Sequence, residues 1–376
     1  MANKPDVIII GGGLAGLTAG IHLSRHGINV TIIEKNEFPK HKVCGEYVSN
    51  EVLPYLNSLG IDISSLHPAN ITRTAISTIS GKKIEGTLPL GGFGISRYAL
   101  DFLLFQTAKK YRCDIRQETV SDVVFSNDNF HVKTSEGNAY QSTIAIGAYG
   151  KRSHIDLKLQ RDFASKKSPW LAVKAHYKGN FPDGLVALHN FRGGYCGVSK
   201  VENNMINICW LGGYKEFKKF RDIGEYQKQI ITANPHLKVI FENSEMLFNA
   251  PLAISQICFD KKNPVENHVL MTGDSAGLIH PLCGNGMAMA IHSAKIISEL
   301  TLDFFHGKIS RSTLEENYAQ QWKIHFGKRM VTGRMLAALL QKETLSRIMM
   351  RLLVTFPSLL QPIIKMTHGK PIAAGA

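Results

Sequence analysis

Three glycines near the start of the chain have the spacing of a turn that binds a dinucleotide. Gly11, Gly13 and Gly16 follow a β-branched run and precede a segment with helical apolar spacing. The first glycine permits a tight bend, the second lets a diphosphate approach the backbone, and the third allows the helix to pack closely on the strand. Because the N–H groups at the start of that helix are unpaired, the turn predicts a diphosphate site.

A carboxylate follows this turn at the position where dinucleotide-binding folds contact a ribose. Glu34 lies 18 residues after Gly16, at the end of a second strand-like apolar run. A carboxylate there can accept hydrogen bonds from ribose hydroxyls. The order of strand, glycine turn, helix, strand and acid therefore favours a Rossmann-like unit over a plain glycine turn.

A second group of special residues, far along the chain, favours FAD over NAD. The apolar run 267–271 leads into Asp274, and a glycine-rich helix start follows at 283–287. FAD is long enough to need contacts from both ends of its domain, whereas NAD is usually bound within one strand–helix–strand unit. Two anchors so far apart in the sequence therefore predict FAD.

Composition and charge narrow the class of protein. The chain has 376 residues, 44% hydrophobic content and a net charge of +14, which exclude a disordered chain, a collagen-like fibre and a small disulfide scaffold. Its six cysteines are scattered without a CxxC pair and give no support for a metal site. No uncharged apolar stretch reaches membrane-spanning length, and the chain opens directly into a strand. We therefore expect a cytoplasmic protein.

The elements that must position these residues predict an α/β fold in two interleaved parts. Short buried strands followed by helices occur near residues 10 and 270, whereas 169–212 is rich in strands alone. We expect a Rossmann-like FAD-binding domain interleaved with an antiparallel β-sheet substrate domain and followed by a basic helical segment. The expected ranges are 1–70, 97–165 and 265–305 for the FAD-binding domain, 71–96 and 166–264 for the substrate domain, and 306–376 for the helical segment.

Four motifs in one order resemble a known family of flavoproteins. GGGLAG with its distant Glu34, KVCGEYVS, ISRYALD and TGDSAGLIHPLCGNGMA together are similar to the FAD-dependent geranylgeranyl-reductase-like oxidoreductases. That family lies within the para-hydroxybenzoate-hydroxylase-type superfamily, which also contains aromatic monooxygenases and flavin halogenases. The resemblance covers about residues 5–300 and implies an FAD-dependent enzyme.

The resemblance implies contacts to the adenosine and diphosphate parts of FAD. Ala15 and its glycine neighbours would hold the diphosphate, and Glu34 would hold the adenosine ribose. Arg97, which opens the ISRYALD helix, would place a permanent cation near the diphosphate. The backbone near Val120 would meet the adenine.

The resemblance also implies contacts to the flavin part. Cys44 and Gly45 would lie along the flavin, and Asp274 would bind the ribityl chain. The amides of Gly286 and Met287 would meet the pyrimidine edge of the ring, where helix-start N–H groups stabilise the negative charge of reduced flavin.

Two departures from the family pattern bear on the reaction. Where the superfamily often has GADGxxS, this chain has Tyr149 in GAYGKRS, so an acid expected near flavin and NADPH is missing. The tryptophan motif of the halogenases is also absent, and residues 193–210 stand where these families often place an aromatic-rich strand facing the substrate. Halogenation is therefore a minor interpretation.

The catalytic residues are less well indicated than the cofactor contacts. Cys44 is a candidate redox thiol, although a small apolar filler is the commoner role. His280 is a candidate proton donor, and the alternative is a hydrogen-bonding residue in a loop. Glu46 is a weaker candidate of the same kind. Tyr195 and Trp210 are interpreted as sheet residues, with lining of the substrate pocket as the alternative.

The C-terminal segment carries half of the net charge. Residues 328–376 contain eight Lys or Arg and one acid, which gives +7. An apolar stripe with helical spacing accompanies this charge, formed by Leu345, Ile348, Met349, Leu352, Leu353 and Phe356. The segment predicts either peripheral contact with the inner face of an anionic membrane or helices packed across the substrate domain with solvated lysines. Without a recognition motif, the charge does not indicate nucleic acid.

The expected reaction is reduction of carbon–carbon double bonds in an apolar isoprenoid or polyketide-like lipid, by hydride transfer from flavin N5. NAD(P)H is the expected electron donor. The alternative is an FAD-dependent monooxygenase that hydroxylates an aromatic or polyketide substrate through a flavin hydroperoxide. A binding protein that has lost redox turnover is a third hypothesis, motivated by Tyr149 alone.

Overall fold

The computed structural model describes residues 4–255, 257–341 and 343–374. The strands are β1 (Val7–Ile10), β2 (Val30–Ile33), β3 (Tyr47–Ser49), β4 (Ala69–Ser77), β5 (Lys83–Gly94), β6 (Asp114–Arg116), β7 (Val120–Ser126), β8 (Asn129–Thr134), β9 (Ala139–Ser142), β10 (Ile144–Gly147), β11 (Trp170–Gly179), β12 (Gly184–Phe191), β13 (Gly194–Lys200), β14 (Ile206–Gly213), β15 (Ser244–Met246), β16 (Leu252–Ile254), β17 (Val265–Glu266) and β18 (Val269–Met271). The helices are α1 (Leu14–Arg25), α2 (Leu53–Ser58), α3 (Arg97–Lys110), α4 (His154–Lys158), α5 (Tyr214–Phe217), α6 (Ile223–Gln229), α7 (Pro235–Glu242), α8 (Gly286–Phe305), α9 (Arg311–Gln341), α10 (Glu343–Thr355) and α11 (Leu360–Thr367).

The glycine turn follows the central strand of a six-stranded sheet. The strand order is β17-β18-β10-β1-β2-β6, and β1 runs parallel to both of its neighbours. Every residue of β1 is buried, as expected of a parallel strand with both faces covered. The carboxyl ends of β1, β2 and β18 therefore lie at one edge of the sheet. The residues that follow these ends are Gly11, Glu34 and, three positions after β18, Asp274.

A larger sheet forms the second layer. Its order is β15-β11-β14-β13-β12-β4-β5-β3, with β16 paired to β11. The expected α/β fold is confirmed, but this sheet is not wholly antiparallel, because β12 runs parallel to β4. The difference arises because β4–β5 and β11–β14 are separate hairpin blocks, between which the chain passes through the first sheet. No turn connects β4 to β12, so their parallel pairing is determined by tertiary packing.

The chain passes between the two sheets more often than the domain boundaries predicted from the sequence imply. Strand β3 pairs with β5, and β4 begins at Ala69, although the sequence predicts that residues 1–70 belong to the FAD-binding domain. Strands β7, β8 and β9 form a separate three-stranded sheet within the range 97–165. The segment after β2 therefore connects the layers directly, which brings Cys44 to Tyr47 between them.

The C-terminal helices cover one side of both layers. Helix α9 packs on α8, and α10 and α11 pack on β5. The buried carboxylate of Glu51 holds the end of the chain, since it accepts hydrogen bonds from Arg329 (3.1 Å) and from the backbone N–H of Gly369 (2.6 Å). In the described part of the chain, no helix is both long and apolar enough to cross a membrane.

Candidate functional site

A cavity of about 590 Å³ is lined by residues from both sheets. Its walls include the ends of β1, β2 and β18, the start of α8, and strands β11, β13, β14 and β16 of the larger sheet. Most of the predicted cofactor contacts lie in this lining, namely Gly13, Ala15, Glu34, Cys44, Gly45, Arg97, Asp274, Gly286 and Met287. The structure thus brings residues from distant parts of the sequence to one site.

The three motif glycines have different steric surroundings. Gly11 has φ +109°, and a Cβ there would lie 2.5 Å from the carbonyl oxygen of Ala148. A Cβ on Gly16 would overlap the carbonyl oxygen of Gly11. Gly13, in contrast, has φ −87°, and a Cβ there would make only ordinary contacts, 3.7 Å from the Arg97 guanidinium and 4.0 Å from the Lys42 ammonium. Gly11 and Gly16 are therefore packing positions, whereas Gly13 leaves room for a ligand.

Two cations face that room. Arg97 donates two hydrogen bonds to the buried carboxylate of Asp101 (2.7 and 2.8 Å), and Lys42 donates a third (2.8 Å). Burial alone would raise the pKa of Asp101, but the two cations outweigh it and hold the pKa below its usual range. Three charges with a net of +1 beside the open face of Gly13 form an anion site suited to a diphosphate.

Replacement of Lys42 by methionine is expected to weaken FAD binding about tenfold, because a charge-assisted contact to the diphosphate is lost. The unfolding free energy should change by about 1 kcal/mol or less, since Asp101 keeps its bidentate pair with Arg97. Titration of the apoprotein with FAD, followed by flavin fluorescence, measures the affinity. Unchanged affinity would show that Lys42 does not contact the diphosphate.

Two carboxylates flank the anion site on opposite sides. The Glu34 carboxylate accepts a hydrogen bond from the N–H of Gly12 (2.8 Å) and a second from the N–H of Asn36 (2.9 Å). Asp274 lines the cavity, and no donor among the described residues bonds its carboxylate. Because β10 and β1 separate β18 from β2, the two strand ends lie about 14 Å apart at about 4.8 Å per strand. This span suits an elongated dinucleotide.

The start of α8 provides open hydrogen-bonding groups at the cavity. No side chain caps this helix, so its first N–H groups at Gly286 and Met287 are available to a ligand. Asn285, which precedes them, donates from its amide nitrogen to the carbonyl of Thr367 (2.9 Å). Its buried amide oxygen has no partner among the described residues. A helix start and an orphaned acceptor fit the polar edge of a flavin.

Glu46 lies at the junction of the two layers. It is fully buried, has φ +55°, and its carboxylate accepts hydrogen bonds from Lys174 (2.8 Å) and His176 (2.6 Å) on β11. The same carboxylate accepts the backbone N–H of Arg97 (2.8 Å). Glu46 therefore links the cavity loop, the first residue of α3 and the larger sheet. This geometry makes it a positioning residue.

Sequence reasoning missed Lys42, Lys174 and His176. The sequence does contain a signal for Lys174 and His176. They occupy alternate positions of the apolar strand Trp170–Gly179 and therefore share one face. A charged residue on an apolar strand face requires a buried partner. Lys42 lies in a polar loop and had no comparable signal.

Four sequence candidates lie outside the cavity lining: Gly11 and Gly16, which are the packing positions of the turn, and Val120 and His280. The structure places Val120 at the start of β7, near the loop in which the N–H of Glu118 bonds to the carbonyl of Glu34 (3.2 Å). His280 is buried against Phe259, with ring centroids 4.7 Å apart. Burial lowers the pKa of His280 to about 4, so its ring is neutral at pH 7. Its Nδ1 accepts a hydrogen bond from the backbone N–H of Leu282 (3.4 Å), which favours the alternative of a hydrogen-bonding residue in a loop over proton donation.

Tyr149 occupies the position of the missing acid and lines the cavity. Its hydroxyl donates to Asp156 (3.1 Å), which forms a buried ion pair with Arg161 (2.8 Å). Ser153 caps the short helix that carries Asp156. The carboxylate of Asp156 thus lies on the side of Tyr149 away from the cavity and is bonded to its hydroxyl.

The larger sheet gives the cavity an apolar wall. Tyr195, interpreted from the sequence as a sheet residue, lines the cavity from strand β13. Trp210 borders the cavity through its strand β14, but its ring packs on the opposite face of the sheet with Phe191 and Tyr226, as a sheet residue. Other apolar residues on this side of the cavity are Ala172, Leu211, Leu252 and Ile254 from the sheet, together with Ile257 and Leu278 from neighbouring loops. The site therefore combines a polar cradle for FAD with an apolar compartment.

Comparisons with known proteins agree with this geometry. Residues 4–176 match the model of the family described as FAD binding domain. The chain is 25% identical over 355 residues to conditioned medium factor receptor 1 of Dictyostelium discoideum, covering 86% of this chain and 68% of that protein. It is 25% identical over 343 residues to digeranylgeranylglycerophospholipid reductase of Methanosarcina acetivorans, covering 86% and 81%. The solved structure of the flavin-dependent brominase Bmp2 has a TM-score of 0.79 at 17% identity, covering 97% of this chain and 93% of that one, which shows a shared fold.

Proposed function

We propose that this FAD-dependent oxidoreductase reduces carbon–carbon double bonds in an apolar, lipid-like substrate of isoprenoid or polyketide type. The observation that carries the proposal is the apolar wall, which faces the same cavity as the residues suited to FAD. The similarity to a digeranylgeranylglycerophospholipid reductase supports the same substrate class. NADH or NADPH is the proposed electron donor.

The chain's own residues would perform three tasks. Bound FAD would supply a hydride from its N5 atom to one carbon of the double bond, and a proton that comes ultimately from solvent would complete the other carbon. Arg97 and Lys42 would hold the diphosphate, and the N–H groups at the start of α8 would stabilise negative charge at the flavin edge. The apolar wall would bind the substrate chain and exclude water from the reacting carbon atoms.

The test is reoxidation of the reduced holoenzyme without oxygen. The protein is reduced anaerobically with dithionite, and polyunsaturated isoprenoid lipids are added while the absorbance of oxidised flavin is followed. We expect reoxidation together with a product two hydrogen atoms heavier per double bond. Reoxidation that requires oxygen, with an oxygen atom in the product, would replace the proposal by the monooxygenase alternative.

A variant of the apolar wall tests the site of substrate binding. Replacement of Ile254 by aspartate should slow lipid-dependent reoxidation about tenfold or more, because a charge on the wall opposes entry of an apolar chain. FAD content should remain unchanged, since Ile254 belongs to the larger sheet. Val239→Asp, on an exposed position of α7, is the matched control and should react at the parental rate. Equal rates in both variants would place the substrate elsewhere.

The monooxygenase remains the second candidate because of one aromatic residue. Tyr195 lines the cavity on the same face of the sheet as Leu211, and its ring also suits contact with an aromatic or polyketide ring. The oxygen requirement described above separates this candidate from the reductase.

A further inference from the structure

The apolar stripe of the C-terminal segment divides into two faces in the structure. Met349 and Leu353 point towards the protein, and Leu353 is buried. The other members, together with Leu359, point outward. We name these five residues the outer stripe: Leu345, Ile348, Leu352, Phe356 and Leu359.

The outer stripe is a continuous exposed surface. Its members are between 38% and 54% exposed, and they follow one another at intervals of three or four residues along α10 and the turn after it. Within α10 this spacing puts Leu345, Ile348 and Leu352 on one side of the helix, and Phe356 and Leu359 continue the exposed row in the turn after it. A row of five large apolar side chains is more than the isolated exposed residues of an ordinary surface.

The opposite side of these helices is already occupied, which fixes the orientation of the outer stripe. Leu353, Leu360 and Ile364 are buried against β4 and β5 of the larger sheet. Thr367, at the end of α11, accepts the hydrogen bond from Asn285 at the cavity. The outer stripe therefore faces away from the core and cannot be buried by a rotation of α10 without loss of these contacts.

Basic side chains lie on α10, which carries most of this apolar surface, and on the next helix, α11. Arg351 lies beside Leu352 on α10, Lys365 lies on α11, and both side chains are exposed. The segment 328–376 contains eight basic residues against one acid. An apolar row flanked by cations matches the boundary of an anionic bilayer, where apolar side chains enter the acyl region and cations contact lipid headgroups.

Other occupants fit this surface less well. A second copy of the chain would bring two basic segments together, and like charges in an interface are repulsive. Nucleic acid would pair with the cations but would leave the apolar row exposed to water. An anionic bilayer satisfies both features at once.

We propose that the outer stripe and its flanking cations bind the surface of an anionic phospholipid membrane as a peripheral anchor. The anchor does not depend on the reaction proposed above. It does place the lipid surface one helix layer from Tyr47, which belongs to the same buried apolar cluster as Leu353 and Leu360 and also lines the cavity. An enzyme with an apolar substrate would thereby be held where that substrate is dissolved.

The test is sedimentation of the full-length holoenzyme with vesicles of phosphatidylcholine, alone or mixed with phosphatidylglycerol. We expect binding to the mixed vesicles that weakens with added salt, and much weaker binding to the neutral ones. Leu352→Glu/Phe356→Glu should lower the affinity for mixed vesicles about tenfold or more, because two apolar side chains no longer enter the bilayer. Val124→Glu, an exposed apolar position on β7, is the matched control and should bind as the parent does.

A second variant, which changes only exposed cations, tests membrane binding without altering the apolar residues of α10. Arg351→Gln/Lys365→Gln retains the outer stripe and should lower the affinity for mixed vesicles severalfold while leaving the weak binding to neutral vesicles unchanged. FAD content and circular dichroism report the fold of each variant. Equal binding to both vesicle types, parental binding by the stripe variant, or a dimer that the stripe variant abolishes would each overturn the proposal. Failure of lipid reduction with vesicle binding intact would affect only the proposed reaction.

Discussion

Replacement of Glu46 by glutamine is expected to lower the free energy of unfolding by about 3–5 kcal/mol. The substitution preserves the size of the side chain and removes only the charge that compensates the ammonium of Lys174. Lys174 and Glu46 are both fully buried, so the remaining charge has no access to water. Urea unfolding of the apoprotein, followed by tryptophan fluorescence, measures the difference.

The stabilisation that the ionised carboxylate of Glu46 provides should depend on pH. Burial alone would raise the pKa of Glu46, but hydrogen bonds and charge from His176 and Lys174 outweigh it and hold the pKa below its unfolded value of 4.5. The stabilisation is therefore present above pH 4.5 and is lost as the pH falls through the lower folded pKa. The free energy of unfolding of Glu46→Gln should therefore fall less than that of the parent as the pH is lowered, because the variant has no carboxylate to protonate at this position.

Two controls separate charge from shape. The double variant Glu46→Gln/Lys174→Met removes both charges and should recover much of the lost stability. Glu216→Gln removes one partner of the exposed pair with Lys219 and should leave the unfolding free energy nearly unchanged. If Glu46→Gln were as stable as the parent, the buried pair would not be an ionic interaction, and the junction would be held by packing alone.

The elements that were predictable from the sequence are those whose parts are close neighbours in the chain. The glycine turn, its strand and its helix occupy residues 7–25, and each position has a steric reason that one local backbone explains. Glu34 and Asp274 were predictable because each lies at or just after the carboxyl end of a short apolar strand. The carboxyl ends of parallel strands lie at one edge of a sheet. The two local sequence patterns therefore predict that Glu34 and Asp274 lie at the same edge, although they are far apart in the chain.

The features that escaped prediction depend on tertiary packing. The parallel pairing of β4 with β12 joins two hairpin blocks, and neither contains a turn that would specify it. The apolar stripe of α10 was visible in the sequence, but its division between Leu353 inside and Leu352 outside depends on where β5 lies. The partners of Glu46 come from β11, which is more than 120 positions away, so their pairing needed the relative placement of two sheets.

Replacement of Gly13 by alanine is expected to weaken FAD binding about a hundredfold while the protein remains folded. The backbone of Gly13, with φ −87° and ψ −172°, accepts any residue, and the added methyl group meets no atom closer than 3.7 Å. In the holoenzyme, however, this methyl group would occupy the space through which the diphosphate approaches the helix start. Loss of two charge-assisted hydrogen bonds corresponds to about 3 kcal/mol, or about a hundredfold in affinity.

Two further glycine variants make the interpretation of Gly13→Ala specific. Gly16→Ala would force a methyl group onto the carbonyl oxygen of Gly11, so the apoprotein itself should be destabilised. Gly327→Ala lies within α9, where the new Cβ makes an ordinary contact 3.8 Å from Lys323, and it should keep both the fold and the parental FAD affinity. Isothermal titration of each apoprotein with FAD, with its melting temperature, distinguishes the three cases. A Gly13→Ala protein that binds FAD as the parent does would show that the diphosphate does not approach this turn, because the methyl group would otherwise stand in its path.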